Sequence, residues 1–271
     1  MVFRHDDNAP LNQMYLFDDG YSFGCTSVTS ETVRFNASLL LSVDGEAFQL
    51  GAGARQGAFA AAVVKPMLSR HLSAERLRLV SIGISPNHPD FRPFGLLGPP
   101  GLRGLDATLF APVADGLAAM HGGTLQPRDA REVYQAVVRI AAAQLPVPRP
   151  VDRRVATVMR RLGDDPDVPV EVLAAAVGLS YDRLSHLFSD NLGLSIRTYS
   201  LSLRIHAASR MNRSGRTLTE IAHQAGFTDS SHFSRVYQRA YGGSPSYFFG
   251  SKRVNVQTLY DAPRPVGRAP G

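Results

Sequence analysis

With 271 residues and 44% apolar side chains, the chain has the size of two globular domains with substantial cores. A single cysteine, Cys25, excludes an internal disulfide framework and a cysteine-rich zinc site. No apolar run reaches bilayer length, and the opening MVFRHDDNAP lacks the basic-then-apolar order of a secretion signal, so a cytoplasmic location without a membrane partner is expected. The net charge of +6 is uneven: residues 1–145 hold 12 Lys/Arg against 13 Asp/Glu, whereas residues 146–271 hold 17 against 10. Sixteen of those 17 are arginine, the side chain that forks onto phosphate and guanine. Such an excess serves equally as a soluble face; beside a nucleic-acid motif it is an electrostatic footprint.

Residues 1–25 are partly extended, in QMYLF and YSFGC. From Val33 to Leu50 the pattern is strand-like, with Asp44-Gly45 predicting a hairpin turn between VRFNASLLLSV and EAFQL. Residues 51–57 read as loop, Ala58 to Val64 as a strand ended by Lys65-Pro66, and Arg76 to Ile84 alternates at period two. A meander of short strands predicts a small β-sandwich or barrel. The stretch PNHPDFRPFGLLGPPGLRG is loop-like. Two helices follow. Asp106 to Met120 places Leu109, Val113, Leu117 and Met120 on one face. Pro127 to Leu145 buries Val133, Ala136, Val137, Ile140, Ala141 and either Gln144 or Leu145. On the plain reading of its pattern the pair covers the barrel.

Three prolines in the six residues Pro146 to Val151 make a semi-rigid linker and a domain boundary. Beyond it the apolar period becomes helical. Asp152 to Leu162 turns Val155, Val158 and Met159 inward. Val170 to Val177 leads through Gly178 and the N-cap Ser180 to a helix, Tyr181 to Asn191, which buries Leu184, Leu187 and Phe188 and ends at Gly193. A long connecting helix from Leu194 or Ser195 to Met211 carries the stripe Tyr199, Leu203, Ala207, Met211. After a loop over residues 213–217, Thr217 or Thr219 caps a helix that runs into Gly226. Thr228 or Asp229 then caps a last helix with Phe233, Val236, Tyr237, Ala240 and Tyr241 on one side. Its free face is Ser230, Ser231, Ser234, Arg235, Gln238 and Arg239. The segments LAAAVGLSYDRLSHLF and IAHQAGFTDSSHFSRVY are a diverged repeat, with their turn glycines 48 positions apart. Their apolar stripes agree only after a one-residue shift, so the second turn is one residue longer. Ser244-Pro245 begins one short further turn, and residues 254–271 read as a flexible tail.

The second unit resembles the signature of AraC/XylS-type transcription regulators, and the resemblance runs from about Val168 to Phe249. It is carried by Ile221-Ala222 with Gly226-Phe227, by Ser231, Phe233-Ser234-Arg235 and Tyr237, and by Gly242 with Ser244-Pro245. It implies an α+β chain. Residues 1–145 would be a cupin-like barrel with two helices, binding a small-molecule effector or dimerising. Residues 146–151 would be the linker, and residues 152–253 an all-α domain with two helix-turn-helix units for duplex DNA. RNA polymerase is a further partner if the protein activates, and the resemblance implies a homodimer, with the helix pair after the barrel as its interface.

Base reading falls to the exposed N-terminal part of each second helix. In unit one these residues are Tyr181, Asp182, Ser185 and His186; in unit two they are Ser230, Ser231, Ser234 and Arg235. Arg235 can take guanine O6 and N7 together. Asp182 either accepts from cytosine N4 or orients Arg183, the second role being the one expected. Arg183, Arg197, Arg204 and Arg239 are phosphate candidates, though each also suits a solvated surface. His71 is the candidate for an imidazole turned into an effector pocket, against the plainer reading of a core or surface histidine. None of the eight histidines forms an HxH or HExxH pair, so no metal site and no cofactor is expected. No nucleophile elbow, phosphate loop or paired carboxylates suggest catalysis. A catalytic barrel would need ligand histidines. A DNA-binding regulator whose first half only dimerises or binds a partner protein is the remaining alternative.

Overall fold

The computed structural model describes residues 11–53, 55–211, 216–250 and 253–260. Its strands are β1 (Asn12–Phe17), β2 (Gly20–Cys25), β3 (Val28–Thr32), β4 (Ala37–Ser42), β5 (Phe48–Ala52), β6 (Arg55–Phe59), β7 (Ala61–Val64), β8 (Arg70–Ala74), β9 (Leu79–Ile84), β10 (Leu102–Gly104) and β11 (Val254–Thr258). They form a larger sheet, ordered β10-β7-β4-β9-β2-β1-β11, and a smaller one, β3-β8-β5-β6. Period-two alternation sorts the side chains of the larger sheet. Met14, Leu16, Tyr21, Phe23, Leu40 and Leu79 share an interior core with Phe48, Leu50, Leu72 and Ala74 of the smaller sheet. Tyr15, Phe17, Leu39, Leu41, Ile82 and Ile84 point the other way, into a second core.

Helices cover that second face. After α1 (Arg92–Gly95) come a 3-10 turn (Ala107–Val113), α2 (Ala114–Gly122) and α3 (Pro127–Ala143). The expected single helix from Asp106 is therefore broken. Pro112 lies inside the 3-10 turn, where it lacks an N–H for the α-helical ladder, and Leu109 is 50% exposed rather than inward. The inward face of α3 is Ala130, Tyr134, Val137, Val138 and Ala141, with Val133, Ala136 and Ile140 half-buried at its edges. Tyr134 anchors the helix: its ring lies 4.9 Å from that of Phe17 and its hydroxyl donates to the Asp19 carbonyl at 3.1 Å.

Three strand expectations change, two of them because the chain crosses between sheets. Asp44-Gly45 is a turn, but β4 and β5 belong to different sheets, so it hands the chain across instead of closing a hairpin. The predicted strand Ala58 to Val64 is split likewise, β6 ending in the small sheet and β7 opening in the large one. The expected loop over residues 51–57 is mostly the paired ends of β5 and β6. A strand that changes sheets keeps its local alternation, so sequence pattern does not register the crossing. The tail departs more. Residues 254–258 form β11, parallel to β1 from Asn12↔Val254 to Leu16↔Thr258, with Val254 and Val256 buried. The remainder of the expected tail, residues 261–271, and most of the loop before Thr217 lie outside the described residues.

After the linker, α4 (Arg153–Asp164), α5 (Val170–Ala176), α6 (Tyr181–Leu192), α7 (Ile196–Met211), α8 (Leu218–Gln224) and α9 (Ser230–Tyr241) follow, then a π turn (Ser246–Gly250). The stripe expected on α7 is not its buried face. Tyr199 is buried, but Ala207 is exposed and Leu203 and Met211 are half-buried. Ile196, Ser202, Ile205, His206, Ala208 and Ser209 are buried as well. This helix packs on α4 and α6 to one side and on α8 and α9 to the other, so it has no single apolar stripe for a period to reveal.

Candidate nucleic-acid interface

Each unit is a short helix, a glycine turn and a second helix with a side-chain cap. In unit one, α5 passes through Gly178 at φ +66 to Ser180, which accepts from the Arg183 N–H at 3.4 Å. In unit two, Thr217 and Glu220 form a reciprocal capping box at the start of α8. The chain then turns at Gly226, φ +77, and Asp229 accepts from the His232 N–H at 2.6 Å. That bond, with a smaller pull from Arg235, holds the Asp229 carboxyl below the ordinary range. Four residues separate α5 from α6 and five separate α8 from α9, the one-residue difference that the repeat implies. Counted from the caps, the buried Leu184, Phe188 and Leu192 match Phe233, Tyr237 and Tyr241.

The free faces follow from this register. Tyr181 is 51% exposed, Asp182, Arg183 and His186 are exposed, and Ser185 is half-buried. His186 bonds through Nδ1 to the Asp182 carbonyl at 2.8 Å. No ion pair joins Asp182 to Arg183 among the described residues, so the expected orienting role is not realised. In the first turn of α6 the Asp182 carboxylate instead complements the helix dipole. On α9, Ser231, Arg235 and Arg239 are exposed, and Ser230 and Ser234 half-buried. Arg197, at the start of α7, joins Arg235 and Arg239 along a groove of about 290 Å³ bordered by Phe35 and Met67. Three of the sequence candidates thus converge into one cationic strip.

Arg204 does not join them. Its guanidinium pairs with Asp167 and donates to the Gly226 carbonyl at 3.0 Å, so it clips the unit-two turn to the α4–α5 connection. A side chain held by two internal acceptors acts as a structural tie, which stands against the phosphate contact expected of it.

The N-terminal domain holds both units. Arg92 Nε donates to the Asn191 carbonyl at 2.9 Å beside α6, and the Phe35 N–H donates to the Arg239 carbonyl at 3.2 Å beside α9. Tyr21 meets Tyr241 with ring centroids 5.3 Å apart, and Phe23 meets Phe248 at 5.9 Å. Between the units, His206 of α7 lies 2.7 Å from the Ser85 hydroxyl, and Arg210 pairs with Asp18.

His71, expected to face an effector, is exposed on β8; the inward positions of that strand are Arg70, Leu72 and Ala74. Sequence reading missed Arg70 by one residue and Arg34 altogether, and both are buried, at 3% and 6% exposure. Burial, then the nearby Arg34 charge, lowers the Arg70 pKa to about 9. Arg34 donates to the Tyr21 hydroxyl at 2.7 Å. The available signal was an arginine at an inward position of an alternating strand. Cys25 is buried and its thiol is pushed up to about 12 by desolvation. Among the described residues, no three His, Cys, Asp or Glu are placed to hold a metal ion, and no helix is long and apolar enough to cross a membrane.

Residues 173–251 match the family model described as a helix-turn-helix domain. The chain is 34% identical over 103 residues to the arabinose operon regulatory protein of Escherichia coli (strain K12), covering 36% of this chain and 35% of that protein. It is 28% identical over 159 residues to the transcriptional activator NphR of Rhodococcus sp, covering 56% and 47%. It therefore spans from about a third to about half the length of these curated relatives. In structure it is similar to ToxT from Vibrio cholerae O395, with TM-score 0.52, 14% identity, and coverage of 87% of this chain and 96% of that one. A second ToxT structure, bound to (E)-4-(8-methylnaphthalen-1-yl)but-3-enoic acid, gives TM-score 0.51 at 12% identity, covering 88% and 98%. These likenesses extend the shared fold across the barrel as well as the helical units.

Proposed function

We propose that this chain, which belongs to the AraC/XylS family through its C-terminal helix-turn-helix domain, is a sequence-specific transcription regulator governed by a small-molecule effector in its barrel domain. The observation that carries the reading is the pair of capped helices, α6 and α9, whose free faces offer hydrogen-bonding groups near their starts. Tyr181, Asp182, Ser185 and His186 would meet one set of base edges, and Ser230, Ser231, Ser234 and Arg235 the other. Arg183, Arg197 and Arg239 would bind phosphates and supply the salt dependence. Effector control is supported by the contacts of the barrel with both units and by the acid bound to the structurally similar ToxT. The protein would act in the cytoplasm, touching RNA polymerase where it activates. Catalysis has no place in this reading.

Selection on random duplexes followed by footprinting tests it. The expected result is a preferred sequence with two protected major-groove segments on one DNA face, about 10 bp apart. No sequence preference, or one contacted groove per chain, would overturn it.

A further inference from the structure

We propose that the interior of the barrel is an anion site in which Arg70, with Arg34 beside it, receives the carboxylate or phosphate group of a small organic molecule. The proposal rests on the effector reading above and adds the chemistry of the effector.

The polar groups define the site. Arg70 shares the inward side of β8 with Leu72 and Ala74, opposite Thr32 and Ala52 in register. Ser38 shares a side of β4 with Leu40, and Ser81 a side of β9 with Leu79; both leucines belong to the interior core. Thr32 Oγ1, Arg34 Nε, Asn36 Nδ2, Ser38 Oγ, Arg70 Nε and Ser81 Oγ are all buried without a hydrogen-bond partner. Buried polar atoms are nearly always satisfied, so unmatched ones at Thr32, Ser38, Arg70 and Ser81, on strand faces turned to this core, mark a place built to meet a polar guest.

The arginines fix its sign. Arg70 has no carboxylate within ion-pair range among the described residues, and the charged neighbour that acts on it is Arg34, a like charge. Arg34 has partial compensation, because its guanidinium bonds Tyr21 and lies against Gly242 at the C-terminal, electronegative end of α9. Arg70 has none. Two buried guanidinium groups that repel each other oppose folding unless an anion offsets their charge, and the guanidinium fork matches carboxylate and phosphate oxygens in pairs. An anion drawn to Arg70 would compete with Gly242 for Arg34. That contact lies at the end of the unit-two recognition helix, so occupancy would reset how α9 is held.

The test uses the full chain at fixed ionic strength, with melting temperature and calorimetric titration as readouts. Benzoate, hexanoate and phenyl phosphate are each compared with a neutral counterpart: benzamide, hexanamide and phenol. At least one anion should raise the melting temperature saturably while its neutral counterpart does not; which anion succeeds separates carboxylate from phosphate. Arg70→Met should abolish the response and melt no lower than wild type, since it removes an unpaired buried charge. Arg70→Lys, which keeps charge but loses the fork, should weaken binding about tenfold and guards against a folding defect in the first variant. An anion response that survives both substitutions, or no anion exceeding its neutral counterpart, would overturn the proposal. DNA affinity measured in parallel separates the two readings. A neutral compound that shifts both melting and DNA affinity sinks the anion site and leaves effector control standing. Anion binding that leaves DNA affinity unchanged does the reverse.

Discussion

Gly193 and Gly242 close the two recognition helices at equivalent positions, each in the left-handed conformation, and the N-terminal domain covers both. The Gly95 carbonyl lies where a Cβ of Gly193 would be, and the Arg34 guanidinium lies where a Cβ of Gly242 would be. The barrel domain therefore touches matching points of α6 and α9, away from the N-terminal ends proposed to read bases.

This relationship makes Gly242→Ala a probe of the domain interface. Alanine at φ +84 costs about 1 kcal/mol from backbone conformation alone. In wild type the new methyl also displaces Arg34, so the loss should be larger; in an Arg34→Ala background only the backbone cost should remain. Urea unfolding of the four proteins should show a coupling of at least about 0.5 kcal/mol. Additive losses would mean that Arg34 does not press on the helix end.

The two arginines on the outer side of α9 should behave differently. Arg235→Ala is expected to relax the preference at one base position at a cost of about 1–3 kcal/mol. Arg239→Ala should weaken binding to every sequence alike. Selection experiments returning the same altered preference for both would remove the distinction.

Arg197 and Arg204 separate phosphate contact from structural tie. Arg197→Ala should reduce the slope of log affinity against log salt by about 0.9, one phosphate contact. Arg204→Ala should leave that slope unchanged and lower the melting temperature, because it frees Asp167 and the Gly226 carbonyl. An unchanged melting temperature with a reduced slope would restore Arg204 to the DNA surface.

Acid should loosen the join between α7 and the barrel. Burial lowers the His206 pKa to about 4, outweighing Asp19 and Asp18, which raise it, while Arg210 lowers it further. Below about pH 6.5 the unfolded chain takes up a proton that the folded chain refuses, so stability should fall from pH 6.5 towards pH 4 and then level off. The full loss is roughly 3 kcal/mol, from about 1.4 kcal/mol per unit of pKa difference. Denaturant titrations across this range should show the decline, and His206→Gln should flatten it. An equal decline in that variant would place the titrating group elsewhere.

The helical half was largely legible because its signals are local. A glycine turn, a capping side chain and an apolar stripe within one helix specify Ser180 with α6 and Asp229 with α9 without reference to distant residues. Even the extra residue in the second turn is visible from the offset between glycines and stripes. Strands β4, β7 and β9 were legible as segments, because alternation is local too, whereas β3, β8 and β10 were not read from the sequence. The assignment of strands to sheets was not legible either, because β4 and β5 differ in hydrogen-bond partners and not in pattern.

What the amino-acid sequence determined by itself was therefore the helices of the C-terminal half, the register of the two units and the identity of their free faces. Tertiary structure alone decided which arginines are free. Arg197, Arg235 and Arg239 converge on one groove, Arg204 is taken up by Asp167 and Gly226, and Arg34 and Arg70 are buried. All six are the same residue type, so only the long-range acceptors around each determine what its charge does. The same holds for β11, whose alternating VNVQT became a strand because the edge of β1 offered it unpaired backbone groups.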